Sequence, residues 1–564
     1  MSSDYPPRAT RLVIFEPPKQ RQRWGDNLIL PHANWGDLFL DLYYVAAAYN
    51  LSYLLLESPS NEGILYLLGL FGPILVDWFT ATFFDARFSW GADPWHGFLE
   101  LARICFLATA VVHIRTVDVM SQPSKYPDMF GFSLGVLCLT ICNIYDSLEV
   151  RFKVVGEKAA KYSERGSVFA HCVMGVFYLA STCIAGVAYF GIQDEEYNEA
   201  GGEGGRRKLV PLVSNACSRF LAGVEDSEAY ETSSTNVPII LCVVGWMSSV
   251  LLKTLQLSFW KADEEHKKYN VPLNIECKLI IKKIRRFYFQ HSHQYHLFNG
   301  DFCEISAVCI HRFGELTMLL LGESILSLLI VETYTNKEYY ITLYAGIIST
   351  TMIQYLHFKY TPHSAEEHAM RRSFKAGACF YVFFIIHSFA LVTLGTSYKM
   401  FLTSFSYEAH NADPSDNRRL RQLMALIRNL GGGGGSSKYS KEERQQRAAN
   451  MFCCSMAVAW VSMDLTTVCH QGIKSYFEFA KSKAGLIIVI VRLLVTAFVA
   501  TLSTWIIEPD KLALLGMAAV LVEVAISVFW DYYFSFQDNE HRPNVTEPVT
   551  VEAKAGDDGE EDLE

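Results

Sequence analysis

Eight acidic side chains stand where the surrounding sequence is apolar. Asp37 and Asp41 open HANWGDLFLDLYYVAAAYNLSYLL (32–55), and Asp77 lies in FGPILVDWFTATFFD. Asp146 lies in CLTICNIYDSLEV, Glu315 and Glu323 in FGELTMLLLGES, Asp464 in AVAWVSMDLTT and Glu523 in AVLVEVAI. An ionised group at mid-bilayer costs about 3 kcal/mol even on a lenient insertion scale, so such residues pair, take up protons or line water. Bases for pairing stand in similar text: Arg103, Arg115, Lys253, Arg312 and Arg492. Arg312 and Glu315 are i, i+3 neighbours able to neutralise each other on one helix. His113 and His387 are able to titrate near neutral pH and relay protons, or to sit neutral in a core. The chemistry these types offer is cation binding and proton transfer, with static ion pairs as the competing reading.

The elements that hold them are long apolar helices. Hydrophobic residues make up 51% of the 564 residues and charged residues only 19%, too apolar for a soluble chain of this size. Apolar runs of bilayer length recur at 36–57, 62–84, 97–117, 130–150, 167–191, 238–260, 304–331, 339–360, 374–397, 451–471, 485–507 and 511–534. The sequence therefore predicts an all-α polytopic membrane protein with about twelve transmembrane helices. Most of the 14 cysteines fall inside these runs, where they act as small hydrophobes. Residues 1–35 are polar and form an N-terminal arm with no cleavable signal. A basic linker covers 261–303 and a long loop 398–450, and 535–564 reads as an acidic, disordered tail. RRLRQLMALIRNL in the loop has the pattern of an interfacial helix, and GGGGGSS that of a flexible linker.

Internal similarity divides the chain into two parallel six-helix repeats, 36–260 and 304–534. ARICFLATAVVHI (102–114) matches AGACFYVFFIIHS (376–388), which sets His113 and His387 at equivalent positions. LLKTLQLSFW (251–260) matches LVEVAISVFW (521–530), so Lys253 and Glu523 correspond and either pair across the halves or face different subsites. WGDLF at Trp35 and FGELT at Phe313 open the halves. An even number of crossings per repeat relates them by an axis along the membrane normal. Lys and Arg in the N-terminal arm, in the link after the fourth span and in the central linker put those segments, and both termini, in the cytoplasm.

Asp37 and Asp41 share one helix face and mark the mouth of a polar route in the first half, with Glu315 and Glu323 in the second. Asp146 belongs to a polar face with Asn143 and Glu149. Gly72 and Pro73 predict a break in the second span that either frees carbonyls toward an ion or makes a packing kink. HSHQYH (291–296) and HSAEEH (363–368) lack the spacing of a defined metal site, and neither a metal nor a cofactor is expected.

GDLFLDLYYVAA (36–47) and HRFGELTMLLLGESILSL (311–328) resemble the bacterial low temperature requirement protein A family, LtrA. Asp37 and Asp41 match its first-helix acids, and Arg312, Gly314, Gly322, Glu323 and Ser324 match its RFG and LGES segments. His311 and Glu315 depart from that pattern. The resemblance covers Trp35 to about Tyr360 and implies a multispan membrane protein, without a settled substrate.

The functional expectation is transport of ions or of a proton-coupled small solute along Asp, Glu and His side chains. A channel with a continuous pore and a receptor or scaffold with structural ion pairs are the alternatives. The chain carries no HExxH or GxxxxGK[ST] pattern, so no enzyme is expected. The partners are the lipid bilayer and an inorganic ion or small solute, with no nucleic acid; a homodimer is one assembly open to such a protein.

Overall fold

In the computed structural model, the residues described are 19–20, 35–57, 61–89, 94–114, 116–119, 122–127, 129–153, 158–199, 237–255, 306–331, 336–362, 368–372, 374–412, 441–472, 476 and 481–541. Outside them lie Arg115, the basic linker 261–303, HSHQYH, most of HSAEEH, the RRLRQLMALIRNL and GGGGGSS segments, and nearly all of the N-terminal arm and acidic tail.

The described chain is helical. We number α1 Trp35–Glu57, α3 Pro94–Val112, α4 Met129–Lys153, α5 Lys158–Glu199 and α6 Val237–Leu255, with α2 running from Asn61 to Arg87 in three pieces. Then come α7 Ser306–Leu329, α8 Lys337–Tyr360, α9 Phe374–Ala412, α10 Lys441–Gln471, α11 Lys483–Thr501 and α12 Pro509–His541. Nine of these are long and apolar enough to cross a membrane; α1, α7 and α8, at 23, 24 and 24 residues, pack among them. Two short antiparallel strand pairings, Lys19–Gln20 with Phe88–Ser89 and Thr116–Val119 with Gln122–Pro127, lie outside the helices.

Local chemistry sets the ends. Pro94 and Pro509 open α3 and α12, where a missing N–H costs nothing. Asn336 and Ser482 cap α8 and α11 by accepting from Glu338 N and Gly485 N. Inside the apolar runs, Thr140, Thr317, Ser349 and Thr350 return their hydroxyl protons to their own helices' carbonyls. Their burial therefore needs no water.

The expected loop 398–450 is shorter in the structure, because α9 continues to Ala412 and α10 begins at Lys441. The continuation YKMFLTSFSYEAHNA has neither Gly nor Pro to stop a helix. In the second span, Leu67–Phe71 forms a π turn ahead of Gly72 and Pro73. Pro73 has no N–H for the carbonyl of Leu68, which instead accepts from the Trp246 indole at 2.9 Å. A side chain at Gly72 would collide with that indole. The break is thus a packing joint with α6, and the freed carbonyl faces a tryptophan rather than an ion.

The centre of the bundle is formed by the most enclosed helices. The apolar windows of Gly63–Ala86 and Lys375–Phe405 are 83% and 72% buried, whereas that of Gly485–Thr504 in α11 is 22% buried. The helix α1 packs on α3, α7 and α9, and α7 also meets α2, α8 and α9. Phe79, Phe313, Phe384 and Tyr381 interlock α2, α7 and α9, with centroids 4.8–5.9 Å apart.

Candidate functional site

The central charges are brought together by α1, α2 and α7. Arg312 donates from Nη1 and Nη2 to both oxygens of Asp41, at 2.8 and 2.9 Å, and from Nη1 to Glu315 at 2.8 Å. The Trp78 indole adds a 2.9 Å bond to Asp41, and its ring lies under the guanidinium. His311 lies 3.1 Å from the other Glu315 oxygen. Asp41 is fully buried, so the planar fork of arginine here replaces the water that the carboxylate lost. Asp37 lies in the first turn of α1, and its side chain is outside the described residues.

A second network joins α1, α2, α3 and α4. Asp77 accepts from Tyr44 Oη at 3.1 Å and Asn143 Nδ2 at 2.7 Å, while Arg103 pairs with Asp146 and donates to Asn143 Oδ1. Below it, Glu149 meets His96 at 3.3 Å and Lys153 at 3.5 Å. Lys253 donates to Thr80 and stands over the Phe83 ring. The third network joins α10, α11 and α12: Arg492 reaches Asp464 at 2.7 Å and Glu523 at 3.0 Å and lies over the Tyr360 ring. Of the two positions matched between the repeats, Glu523 is held by Arg492, while Lys253 bonds Thr80 of α2.

Glu323 differs from all of these. It is 1% exposed, its Oε1 accepts from Ser327 at 2.6 Å, and its Oε2 has no hydrogen-bond partner. Among the described candidate acids it is the one with a buried oxygen that meets neither a donor nor a cation. Lys399 on α9, 3% exposed, is the nearest base whose charge it senses, but it stays beyond the 4.0 Å of a direct pair. A buried unmade bond of this kind costs about 1–3 kcal/mol and calls for an explanation.

Four histidines meet at the end of the bundle where α7 begins and α8 and α10 finish. With Phe313, Tyr360 and Phe384 they line a cavity with about 20 Å³ of room for a water's centre, enough for one or two waters. His357 and His387 stack at 5.4 Å with planes 10° apart, and His368 and His470 lie 4.4 Å apart. Ser462 gives its proton to Ala459 O, so at 3.0 Å it accepts from His387 Nδ1. His387 Nε2 is left as a buried lone pair with no partner. Backbone N–H groups of Ala369 and Met370 donate to Nδ1 of His470 and His368. His113, by contrast, is half-buried and packs against Gly131 of α4.

Burial pushes His368, in the link between α8 and α9, down to about 4. Its folded form resists protonation while its unfolded form takes a proton near 6.5. Stability is therefore expected to fall as pH drops from about 6.5 toward 4, and His368→Phe to flatten that decline. Melting temperatures of both proteins at pH 7 and pH 5 check this; parallel declines would contradict it.

No group of three or more His, Cys, Asp or Glu converges as a metal needs among the described residues. GFSLG (131–135) spells a nucleophile-elbow pattern but lies inside α4, where buried Ser133 donates to Met129 O. It is a core serine. Lys399, Trp78, Tyr44 and the histidines 357, 368 and 470 were not expected as site residues. Lys399 carried a signal, a base in the apolar text LGTSYKMFLTSF, but the span boundary at 397 excluded it.

Comparison with known proteins finds no matching family model, no matching curated protein and no matching solved structure.

Proposed function

We propose that the protein is a multi-pass membrane transporter that moves a proton or other small ion, with Glu323 as the carboxylate that carries the moving charge. The observation behind this reading is the orphaned, buried Oε2 of Glu323 among acids that are otherwise bonded. The histidine cavity lies at the α7 end, and Glu323 is nine residues beyond Gly314 of its lining, roughly 14 Å along the same helix. In this reading, cavity and carboxylate are the two ends of a route beside α9.

In this reading α1, α7 and α8 join the nine apolar helices as twelve spans in two parallel repeats, with both termini cytoplasmic. Corresponding packing supports the repeat: α3 meets α4 as α9 meets α10, α1 meets α3 as α7 meets α9, and α4 meets α5 as α10 meets α11.

A second reading, a receptor or scaffold, is favoured by a specific observation. Asp41, Asp146, Glu315, Asp464 and Glu523 are all engaged by arginines, as purely structural charges would be. Purified protein in liposomes under imposed H⁺, Na⁺, K⁺ and Cl⁻ gradients separates the two. Transport predicts a pH change or current under at least one gradient, and a reversal potential that follows one ion would identify a channel. Silence under every gradient would favour the scaffold.

A further inference from the structure

Two buried groups of opposite charge stand on packed helices, Glu323 on α7 and Lys399 on α9, without meeting. Glu323 keeps one oxygen unbonded, while Lys399 Nζ donates to Ser52 Oγ of α1 at 3.2 Å. The ammonium lies 3.2 Å from the centroid of the Tyr53 ring and 4.9 Å from that of Tyr49. Gly395, one turn before Lys399, sits so close to Ser324 that any Cβ would collide with it. That close approach seats α7 against α9 with Lys399 about one turn beyond Glu323 along the bundle. A pair selected only for stability would close, as those of Arg312 and Arg492 do at 2.7–3.0 Å.

We propose that Lys399 is the internal counter-charge of Glu323, so that the species Glu323 exchanges is a proton rather than a metal cation. The inference rests on the reading of Glu323 as the carrier. The ammonium already brings the site to zero net charge, and a free Na⁺ or K⁺ would have to lodge beside it. Such an ion also needs several oxygens to replace its water, and of the hydroxyl oxygens here Ser52 Oγ already accepts from the ammonium while Ser324 Oγ is packed against the backbone of Gly395. A proton needs only Oε2.

In the exchange, Oε2 takes a proton from hydronium on one side, an O–H bond there breaking as one forms on Glu323, and then gives that proton to water on the other side, re-forming hydronium. Lys399 keeps its three protons throughout. While Glu323 is neutral, the ammonium is held by the faces of Tyr53 and Tyr49 and by Ser52, which accounts for the aromatic cage. The titratable groups around the pair are Tyr49 and Tyr53 of α1, whose hydroxyls bond each other at 2.8 Å, and Tyr398 of α9.

The test is a pH-step current from proteoliposomes on a solid support, recorded in Na⁺, K⁺ and choline buffers. Equal wild-type currents in all three are expected; dependence on Na⁺ or K⁺ would overturn the proposal. Lys399→Met is expected to lose most of the current and to move its pH profile to higher pH, and Lys399→Arg to restore part of it. An unchanged rate and profile in Lys399→Met would also overturn it. Should Lys399→Met fail to fold, the three-buffer comparison on wild type decides. Wild-type currents in Glu323→Gln would instead sink the underlying carrier reading. If wild type is silent, infrared spectra still decide the counter-charge, through the carbonyl band of protonated Glu323 identified by its loss in Glu323→Gln. Lys399→Met should bring that band in at higher pH, and no movement would refute the role of Lys399.

Discussion

Replacing Arg312 with methionine is expected to destabilise the protein by about 3–5 kcal/mol, the usual cost of stranding one partner of a buried ion pair. Arg312 supplies two of the three bonds that Asp41 receives and one of the two contacts at Glu315. Its loss leaves a fully buried carboxylate with a single indole donor. The link is also long in sequence, tying α1 to α7 across 271 residues, so its rupture loosens the packing of those two helices. Asp41→Leu combined with Arg312→Met removes both charges and is expected to recover much of the loss, since apolar replacement of a whole buried pair is often neutral. Thermal unfolding in detergent of the single and double variants checks this. A double variant no more stable than Arg312→Met would show that the pair contributes something apolar packing cannot replace.

Glu323→Gln is expected to have the opposite profile, removing transport while the fold persists. Glutamine has the shape of glutamate, keeps an oxygen for Ser327 and adds two N–H donors at a site where no charge is directly neutralised. Folding therefore loses little, within about 1 kcal/mol, because no buried ion pair is broken. Transport loses its one exchangeable carboxylate. A large drop in melting temperature would mean that Glu323 is a structural group, and the scaffold reading would then gain.

The helices were legible because length and apolarity decide membrane spans almost alone, and the boundary errors fall where polar residues sit inside helices. Lys399 shows the cost: ending the ninth span at 397 hid a base buried on α9. The acids themselves were legible as charges in apolar text. Their partners were not, because Asp41 with Arg312 and Asp464 with Arg492 are products of packing between distant segments. Local spacing found only Arg312 with Glu315, an i, i+3 contact that every helix makes. The Gly72–Pro73 break was readable, whereas the indole that satisfies it comes from 178 residues away. The histidine cavity is assembled from a helix interior, two helix ends and a link, and no periodicity connects these.

The most direct measurement is proton flux into liposomes carrying wild-type protein or Glu323→Gln at matched amounts, under the same imposed pH gradient. The account predicts flux above protein-free liposomes for wild type and flux at the protein-free level for Glu323→Gln. Equal flux from the two proteins would contradict the assignment of Glu323 as the group that carries the charge.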